Sequence, residues 1–78
     1  MQKELVLGGI YRHYKQKDYK VLHVARHSET EEKLVIYQAL YGEYGIWARP
    51  LSMFLEDVTL PDGRVVERFS LIKKPDTN

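Results

Sequence analysis

The apolar residues of the chain fall in short runs that are separated by polar or glycine-containing segments. These runs predict strands over residues 9–15, 19–26, 34–41 and 46–50, since they are rich in aromatic and β-branched side chains. The last apolar positions lie in residues 60–72. No segment is long enough for the helical crossover that joins parallel strands. The pattern therefore predicts antiparallel strands joined by tight turns.

The run over residues 34–41 also allows a helix. Ser28 and Glu31 match the S-x-x-E capping box that begins many helices. A helix here would be apolar on nearly every face, however, and β-branched residues in sequence prefer a pleated surface. We therefore favour a strand, and a single helical turn over residues 28–32 before it would satisfy both signals.

Glycine and proline mark the predicted turns. Gly42 and Gly45 in "YGEYG" predict a hairpin turn, because glycine adopts a positive φ at little cost. Pro50 ends the following strand because it has no amide hydrogen to donate. Later in the chain, residues 61–63, "PDG", predict a second tight turn.

Between these turns, residues 51–58 allow either one helical turn or an irregular crossing. Their apolar side chains are predicted to join the core: Met53, Phe54, Leu55 and Val58. Residues 73–78 are predicted to form a frayed tail. We expect one all-β domain over residues 1–78, with its core at about residues 8–72. A small antiparallel SH3-like barrel of five to six strands is the economical architecture, because closure removes exposed strand edges.

The composition agrees with one small globular domain. The chain has 78 residues, of which 44% are hydrophobic, and at this length folding buries about 60% of the surface of the unfolded chain. There is no cysteine, so neither a disulfide nor a thiolate zinc site can add stability, and we expect a cytoplasmic location. The apolar run at residues 5–10 is too short for a signal peptide or a membrane span.

The charge of the chain is nearly balanced. Twelve lysines and arginines oppose eleven acidic residues, which gives a formal net charge of +1. No overall field therefore draws the protein to nucleic acid or to anionic lipid, and neither partner is predicted. A locally basic segment lies at residues 12–20, which include Lys15 and Lys17.

Residues 25–32, "ARHSETEE", bring many chemically active side chains together in sequence. On a strand His23 and His27 would be about 13 Å apart, too far to share a metal ion. Ser28 beside His27 does not form a nucleophile and base pair, because neighbours on an extended chain point to opposite faces. We therefore expect a polar turn here, and we predict no catalytic residue, no metal and no cofactor.

Arginine and aromatic residues provide the candidate binding face. Arginine beside tyrosine and tryptophan suits the stacking of flat ligands and the capture of carboxylate or phosphate groups. We predict that one end of the sheet gathers such a set: Arg26, His27, Glu29, Tyr41, Trp47 and Arg49. The alternative is structural, since Trp47 and several tyrosines can serve as core residues with a satisfied polar tip.

Several stretches of the chain resemble a family of short bacterial proteins, domain of unknown function 1653. They are "GIYRHYK", "YKVLHVARHSET", "VIYQALYGEYGIWARPLSMF" and "RF" near the end, and together they span roughly residues 8–72. Gln16 departs from the pattern, since the family is expected to have glycine after H-Y-K, and His23 stands where a glycine is frequent. The resemblance implies a stand-alone bacterial cytosolic domain of mainly β architecture, and it carries no activity, cofactor or catalytic residue.

Three functional hypotheses follow. The first is a non-enzymatic module that binds a small anionic or planar ligand through the arginine and aromatic face. The second is a protein–protein interaction or self-assembly domain that uses an unpaired strand edge, such as residues 65–72. The third is a small hydrolase that uses His27 and Glu29.

Overall fold

The computed structural model describes residues 4–75, which form seven strands and one helical turn. The strands are β1 (Ile10–His13), β2 (Asp18–Arg26), β3 (Lys33–Ala39), β4 (Ile46–Pro50), β5 (Asp57–Thr59), β6 (Val65–Glu67) and β7 (Phe69–Lys73). The helical turn α1 (Leu51–Phe54) follows β4 directly. The predicted all-β class is confirmed. No helix in this part of the chain has the length and apolar character to cross a membrane.

Five strands form one antiparallel sheet in the order β4-β3-β2-β1-β7, and β5 pairs with β6 in a separate hairpin. Strands β1 to β4 follow each other as successive hairpins, while β7 returns to pair with β1. Within residues 4–75, β4 and β7 are therefore the two edges of the sheet. Hydrogen bonds between strands therefore do not close the sheet into the expected barrel.

One face of the sheet carries the core. The fully buried Phe54 of α1 packs on this face and stacks on Phe69 of β7, with ring centroids 4.0 Å apart. Edge-on contacts join Phe54 to Tyr11 of β1 and to Tyr37 of β3. Aromatic side chains thus connect strands that are not hydrogen-bonded to each other. The helical turn thus links β3 and β7 across the core face through Phe54.

A β-bulge in β2 decides which residues face this core. Val21 pairs with Tyr37, and after a register shift Val24 pairs with Val35. Cross-strand partners lie on the same face of a sheet, so the bulge at Leu22 brings Val21 and Val24 to one face. On a regular strand, two residues three apart would face opposite sides.

The strand predicted over residues 34–41 is confirmed as β3. Residues 28–30 form a single hydrogen-bonded turn, close to the helical turn suggested for residues 28–32. The Glu31 amide donates to the His27 carbonyl four residues earlier at 2.9 Å, which is the bond of one helical turn. The His27 amide donates to the Glu32 carbonyl, also at 2.9 Å. The strand over residues 46–50 is confirmed as β4. Residues 51–58 contain the single helical turn that the sequence allowed.

The glycine prediction for the β3–β4 turn is half right. Gly42 has a positive φ of 59°, as expected, but the second positive φ, 57°, belongs to Tyr44 and not to Gly45. Gly45 instead lies where an added Cβ would meet the Trp47 indole at 3.4 Å. In the β5–β6 hairpin, Gly63 has the positive φ of 90° that its tight turn predicts.

Residues 65–72 were expected to offer one strand edge, but the chain bends at Arg68 between β6 and β7. The Arg68 amide donates to the Glu56 carbonyl, and its own carbonyl accepts the Tyr14 amide. These bonds separate the last apolar segment into two strands in two different sheets.

The structure differs from the sequence predictions at Met53 and at the start of the C-terminal tail. Met53 is exposed rather than part of the core, because it lies on the outer side of the helical turn that buries Phe54. The predicted tail begins later than expected, since Lys73 still belongs to β7. Residues 76–78 of that tail lie outside the described residues.

Candidate functional site

Three of the predicted site residues lie close together: Arg26 ends β2, and His27 and Glu29 follow in the β2–β3 turn. The His27 Nδ1 accepts the backbone amide of Glu29 at 3.1 Å and that of Thr30 at 3.3 Å. Arg26 is well exposed, with 68% of its side chain accessible, and its guanidinium lies 4.0 Å from a Glu31 carboxylate oxygen. The histidine thus stabilises the turn, and the arginine forms a weak surface ion pair.

The other three predicted residues lie elsewhere on the sheet. Arg26 pairs with Lys33 at the start of β3, whereas Tyr41 follows the end of β3 and Trp47 pairs with Tyr37. Along β3, Arg49 lies level with Val35 and Trp47 with Tyr37, two and four residues from the Arg26 partner Lys33. These spacings correspond to about 7 and 13 Å along the strand, and Tyr41 lies beyond its far end. The structure therefore does not bring the six residues together at one end of the sheet.

Arg49 is the predicted residue with the most extensive interactions. Its Nε donates to the Tyr37 hydroxyl at 3.4 Å, and its guanidinium carbon lies 5.9 Å from the Phe69 ring centroid. The side chain of this β4 residue therefore reaches across the core face to β7. Among the described residues, no carboxylate forms an ion pair with Arg49.

Two further tyrosines lie near the Tyr37 partner of Arg49. The hydroxyls of Tyr19 and Tyr41 are 2.6 Å apart, and the Tyr19 ring contacts the Tyr37 ring edge-on at 5.3 Å. Burial, together with the hydrogen bond to Tyr41, raises the pKa of Tyr19 to about 12, while Arg49 opposes the rise. Tyr19 is therefore a neutral phenol at physiological pH that can donate or accept hydrogen bonds.

We call the group Tyr19, Tyr37, Tyr41, Trp47 and Arg49 the Arg49 cluster. The ammonium group of Lys17, in the β1–β2 turn, lies 5.0 Å from the Tyr41 ring centroid. The fold thus brings the basic segment at residues 12–20 next to the exposed rings after β3. Trp47 is 60% exposed, so the alternative that it is a core residue is wrong.

His13 and Arg68 lie at the β1–β7 side of the same core face. The His13 ring packs edge-on against Phe69 at 4.9 Å and stacks on Tyr14 at 4.5 Å. Burial, and then the positive charges of Arg68, Arg49 and Lys15, lower the pKa of His13. His13 therefore favours the neutral form. Arg68 donates to Glu56 at 2.6 Å, which compensates its charge.

Three neighbours of the site were not predicted from the sequence: Tyr19, Lys17 and His13. The alternation of Tyr19 with Val21 placed the tyrosine on the core face, and this signal could have included it. Lys17 and His13 had no comparable signal, because their positions depend on how the first hairpin packs beside β3 and β7. Of the six predicted residues, the cluster contains Tyr41, Trp47 and Arg49.

A concave surface away from the Arg49 cluster lies between the β5–β6 hairpin and the outer face of β1 and β7, with a volume of about 360 Å³. Its two arginines already have acidic partners: Arg12 contacts Asp18 at 2.8 Å and Arg64 contacts Asp62 at 2.7 Å. Since its cations are compensated, this cleft offers less to an anion than the Arg49 cluster does. Residues 4–75 contain no group of three or more metal-ligating side chains suited to hold a metal ion.

Comparison with known proteins supports the resemblance noted in the sequence. The family model described as "Protein of unknown function (DUF1653)" matches residues 9–71. A crystal structure of a DUF1653 protein from Bordetella bronchiseptica has a similar fold, with a TM-score of 0.76 and 34% identity over 91% of this chain and 92% of that chain. None of the proteins with curated descriptions matches. The matches name no ligand, reaction or partner.

Proposed function

This chain belongs to the DUF1653 family, whose description assigns no function, and we propose that it is a non-enzymatic module that binds a small anionic ligand with a flat apolar part. Arg49 receives the anionic group. The exposed rings of Trp47 and Tyr41 contact the flat part.

The observation that carries this proposal is the state of Arg49. The residue is half-buried, its Nε donates to the Tyr37 hydroxyl, and no carboxylate of the described residues compensates its charge. A partly desolvated guanidinium gains most from a carboxylate or phosphate, which it can bind with two parallel hydrogen bonds. The neighbouring phenol hydroxyls can donate further hydrogen bonds to the same oxygens.

The rings beside Arg49 suit a flat ligand. Trp47 lies two residues before Arg49 on the same face of β4, and its indole makes no ring contact with the described residues. Such an exposed tryptophan gives up few contacts, and it gains apolar contact area, when the ring of a ligand covers it. Lys17, above the Tyr41 ring, adds positive charge on the approach to the site.

The hydrolase hypothesis has less support. The Nδ1 of His27 already accepts two backbone amides of its own turn. Glu29 lies in that turn, and no catalytic arrangement follows from these contacts. We therefore restrict the proposal to binding.

The test uses phenyl phosphate and inorganic phosphate as probes. Trp47 is the only tryptophan of the chain, so its fluorescence reports directly on the site, and amide chemical shifts locate the binding. We expect phenyl phosphate to change the fluorescence and to shift the amides near Tyr37 and Arg49. Inorganic phosphate should bind more weakly, because it lacks the ring.

Matched arginine variants give the control. Arg49→Met should weaken phenyl phosphate binding at least about tenfold, the loss of one charged hydrogen-bonded contact. Arg26→Met removes the same charge from the end of β2, where the exposed arginine lies beside Glu31 and not among the tyrosines, and it should leave binding unchanged. Equal losses in the two variants, or no shift near Arg49 at millimolar probe, would show that the cluster is only structural.

A further inference from the structure

The outer side of β4 presents backbone groups that no strand of residues 4–75 pairs with. The Ala39 amide donates to the Gly45 carbonyl at 2.9 Å. Because hydrogen-bonded and non-hydrogen-bonded pairs alternate along an antiparallel ladder, Ile46 and Ala48 occupy positions whose amide and carbonyl point away from β3. No strand of residues 4–75 lies on that side. The edge therefore offers two amide donors and two carbonyl acceptors.

Exposed apolar side chains accompany these free groups. Ile46 and Trp47 are each 60% exposed, and Tyr44, just before the strand, is 54% exposed. Neighbouring residues of a strand point to opposite faces, so Ile46 and Trp47 would contact an added strand from both of its faces. Large apolar side chains gathered at a free edge are typical of sites that take up an extended peptide.

Charge indicates which peptide fits. Arg49 lies on the same face as Trp47 and lacks a carboxylate partner among the described residues. A peptide side chain placed beside Arg49 should therefore be acidic, and one beside Trp47 apolar. Pro50, which has no amide hydrogen, and the start of α1 at Leu51 limit the added ladder to a few residues.

A second copy of this chain fits the edge less well. The strand sequence "IWARP" contains one arginine and no acidic residue. Pairing two β4 edges would bring two arginines and no carboxylate to the added ladder, and like charges at short range oppose association. The charge of the edge therefore favours a different chain.

We infer that the outer edge of β4 binds an extended acidic peptide segment of another protein as an additional strand, with a carboxylate of the peptide at Arg49. This inference rests on the proposed function, because it assigns the anion at Arg49 to a peptide side chain. A bound peptide would also form hydrogen bonds with the backbone of Ile46 and Ala48, which the binding of a small aryl anion does not require.

The test uses a capped hexapeptide of alternating valine and threonine that carries one glutamate, and the same peptide with glutamine in its place. In the presence of the glutamate peptide, hydrogen exchange of the Ile46 and Ala48 amides should slow at least about tenfold. The glutamine peptide should bind about tenfold more weakly, since it lacks the charged contact with Arg49.

A variant of the edge isolates the backbone contribution. Ala48→Pro removes an amide hydrogen that points away from β3, so the β3–β4 ladder keeps its bonds while the peptide loses one. Peptide binding should fall, whereas phenyl phosphate binding should persist. If this variant does not fold, a glutamate peptide with methylated backbone nitrogens provides the same test on the unaltered protein, and it should not bind.

The outcomes separate the two proposals. If phenyl phosphate binds at Arg49 but the peptide leaves the Ile46 and Ala48 amides unprotected, the inference is overturned and the proposed function stands. If neither probe binds, both fail. If the two amides become protected without peptide as the protein concentration rises, and sedimentation shows a dimer, the occupant is a second copy and the inference is overturned.

Discussion

The guanidinium of Arg49, on the edge strand β4, lies 5.9 Å from the ring centroid of Phe69, on the opposite edge strand β7. The two strands stand at the ends of the five-stranded ladder, so this contact requires the sheet to curl around its core face. Aromatic packing through Phe54 closes the same gap. Side chains thus join the edges that backbone hydrogen bonds leave apart.

The first prediction concerns the stability that Arg49 contributes. Arg49→Met should lower the free energy of unfolding by about 1 kcal/mol, since it removes a cation–π contact and the hydrogen-bond partner of the buried Tyr37 hydroxyl. Arg26→Met should change it by less than about 0.5 kcal/mol, because the ion pair of Arg26 is exposed. Urea denaturation of both variants provides the measurement. Equal effects would contradict the structural role given to Arg49.

The second prediction concerns the helical turn. Phe54 is fully buried against Phe69, whereas its neighbour Met53 is 43% exposed. Phe54→Ala should cost about 3–5 kcal/mol, a large part of the stability of so small a domain. Met53→Ala should cost less than about 0.5 kcal/mol. Near-ultraviolet circular dichroism and urea denaturation measure both. A well-folded Phe54→Ala protein of unchanged stability would show that packing of Phe54 does not hold the two edges of the sheet together.

The third prediction concerns the hydroxyl pair. Tyr41→Phe should lower the pKa of Tyr19 from about 12 towards the ordinary tyrosine value, because the hydrogen bond to Tyr41 adds to the effect of burial. Burial is the larger cause, so the pKa should stay above about 10. The ¹³Cζ chemical shift of Tyr19 follows the titration. Tyr44→Phe, which removes a hydroxyl without a contact to Tyr19, should leave the pKa unchanged; an equal shift in both variants would argue against the pair.

The fourth prediction concerns acid sensitivity. The pKa of His13 is lowered in the folded protein, chiefly by burial, so the unfolded chain binds a proton at a higher pH, about 6.5. Above that pH the residue is neutral in both states and has no effect. As the pH falls below about 6.5 towards the folded pKa, unfolding takes up a proton and stability decreases.

Urea denaturation between about pH 7.5 and pH 5.5 measures this dependence. His13→Gln should remove part of the loss of stability over this interval, because glutamine does not titrate. The other two histidines, His23 and His27, remain in both proteins and cancel in the comparison. If the two proteins lose stability in parallel, burial of His13 does not oppose its protonation.

The fifth prediction concerns Gln16 in the β1–β2 turn. Its φ is 72°, in the left-handed region that glycine adopts without strain, and glycine is what the family resemblance leads one to expect after H-Y-K. Gln16→Gly should raise the free energy of unfolding by about 0.5–1 kcal/mol, since relief of strain exceeds the added entropy of the unfolded chain. Gln16→Ala keeps the Cβ and should give no such gain. Thermal unfolding of the two variants makes the comparison, and a less stable glycine variant would contradict it.

Local patterns were sufficient to predict most elements. The apolar run at 34–41 and "IWARP" predicted β3 and β4, because β-branched and aromatic residues favour a pleated, half-buried surface. Turn glycines were less certain. Gly42 had the expected positive φ, but Tyr44 took the conformation expected of Gly45, since the geometry of the whole hairpin decides which residue bends the chain.

The candidate site depended on longer-range structure. Nothing in the local sequence distinguishes the environment of Arg26 from that of Arg49. Yet the Arg26 side chain is exposed at the end of β2, and the Arg49 side chain reaches the core face. The bulge at Leu22 further changed which side chains of β2 share a face. Alternation along a strand defines two faces, but it does not tell which face is buried or which strand ends meet.

The sequence by itself therefore determined the all-β class, the succession of hairpins and the chemistry available for binding, because these follow from propensity and spacing within a few residues. Only the tertiary structure decided that Arg49, and not Arg26, lies among the tyrosines, and that no strand of the described residues pairs with the outer side of β4. The physical reason is that both depend on how the sheet curls and where its ladder ends, which contacts between distant strands determine.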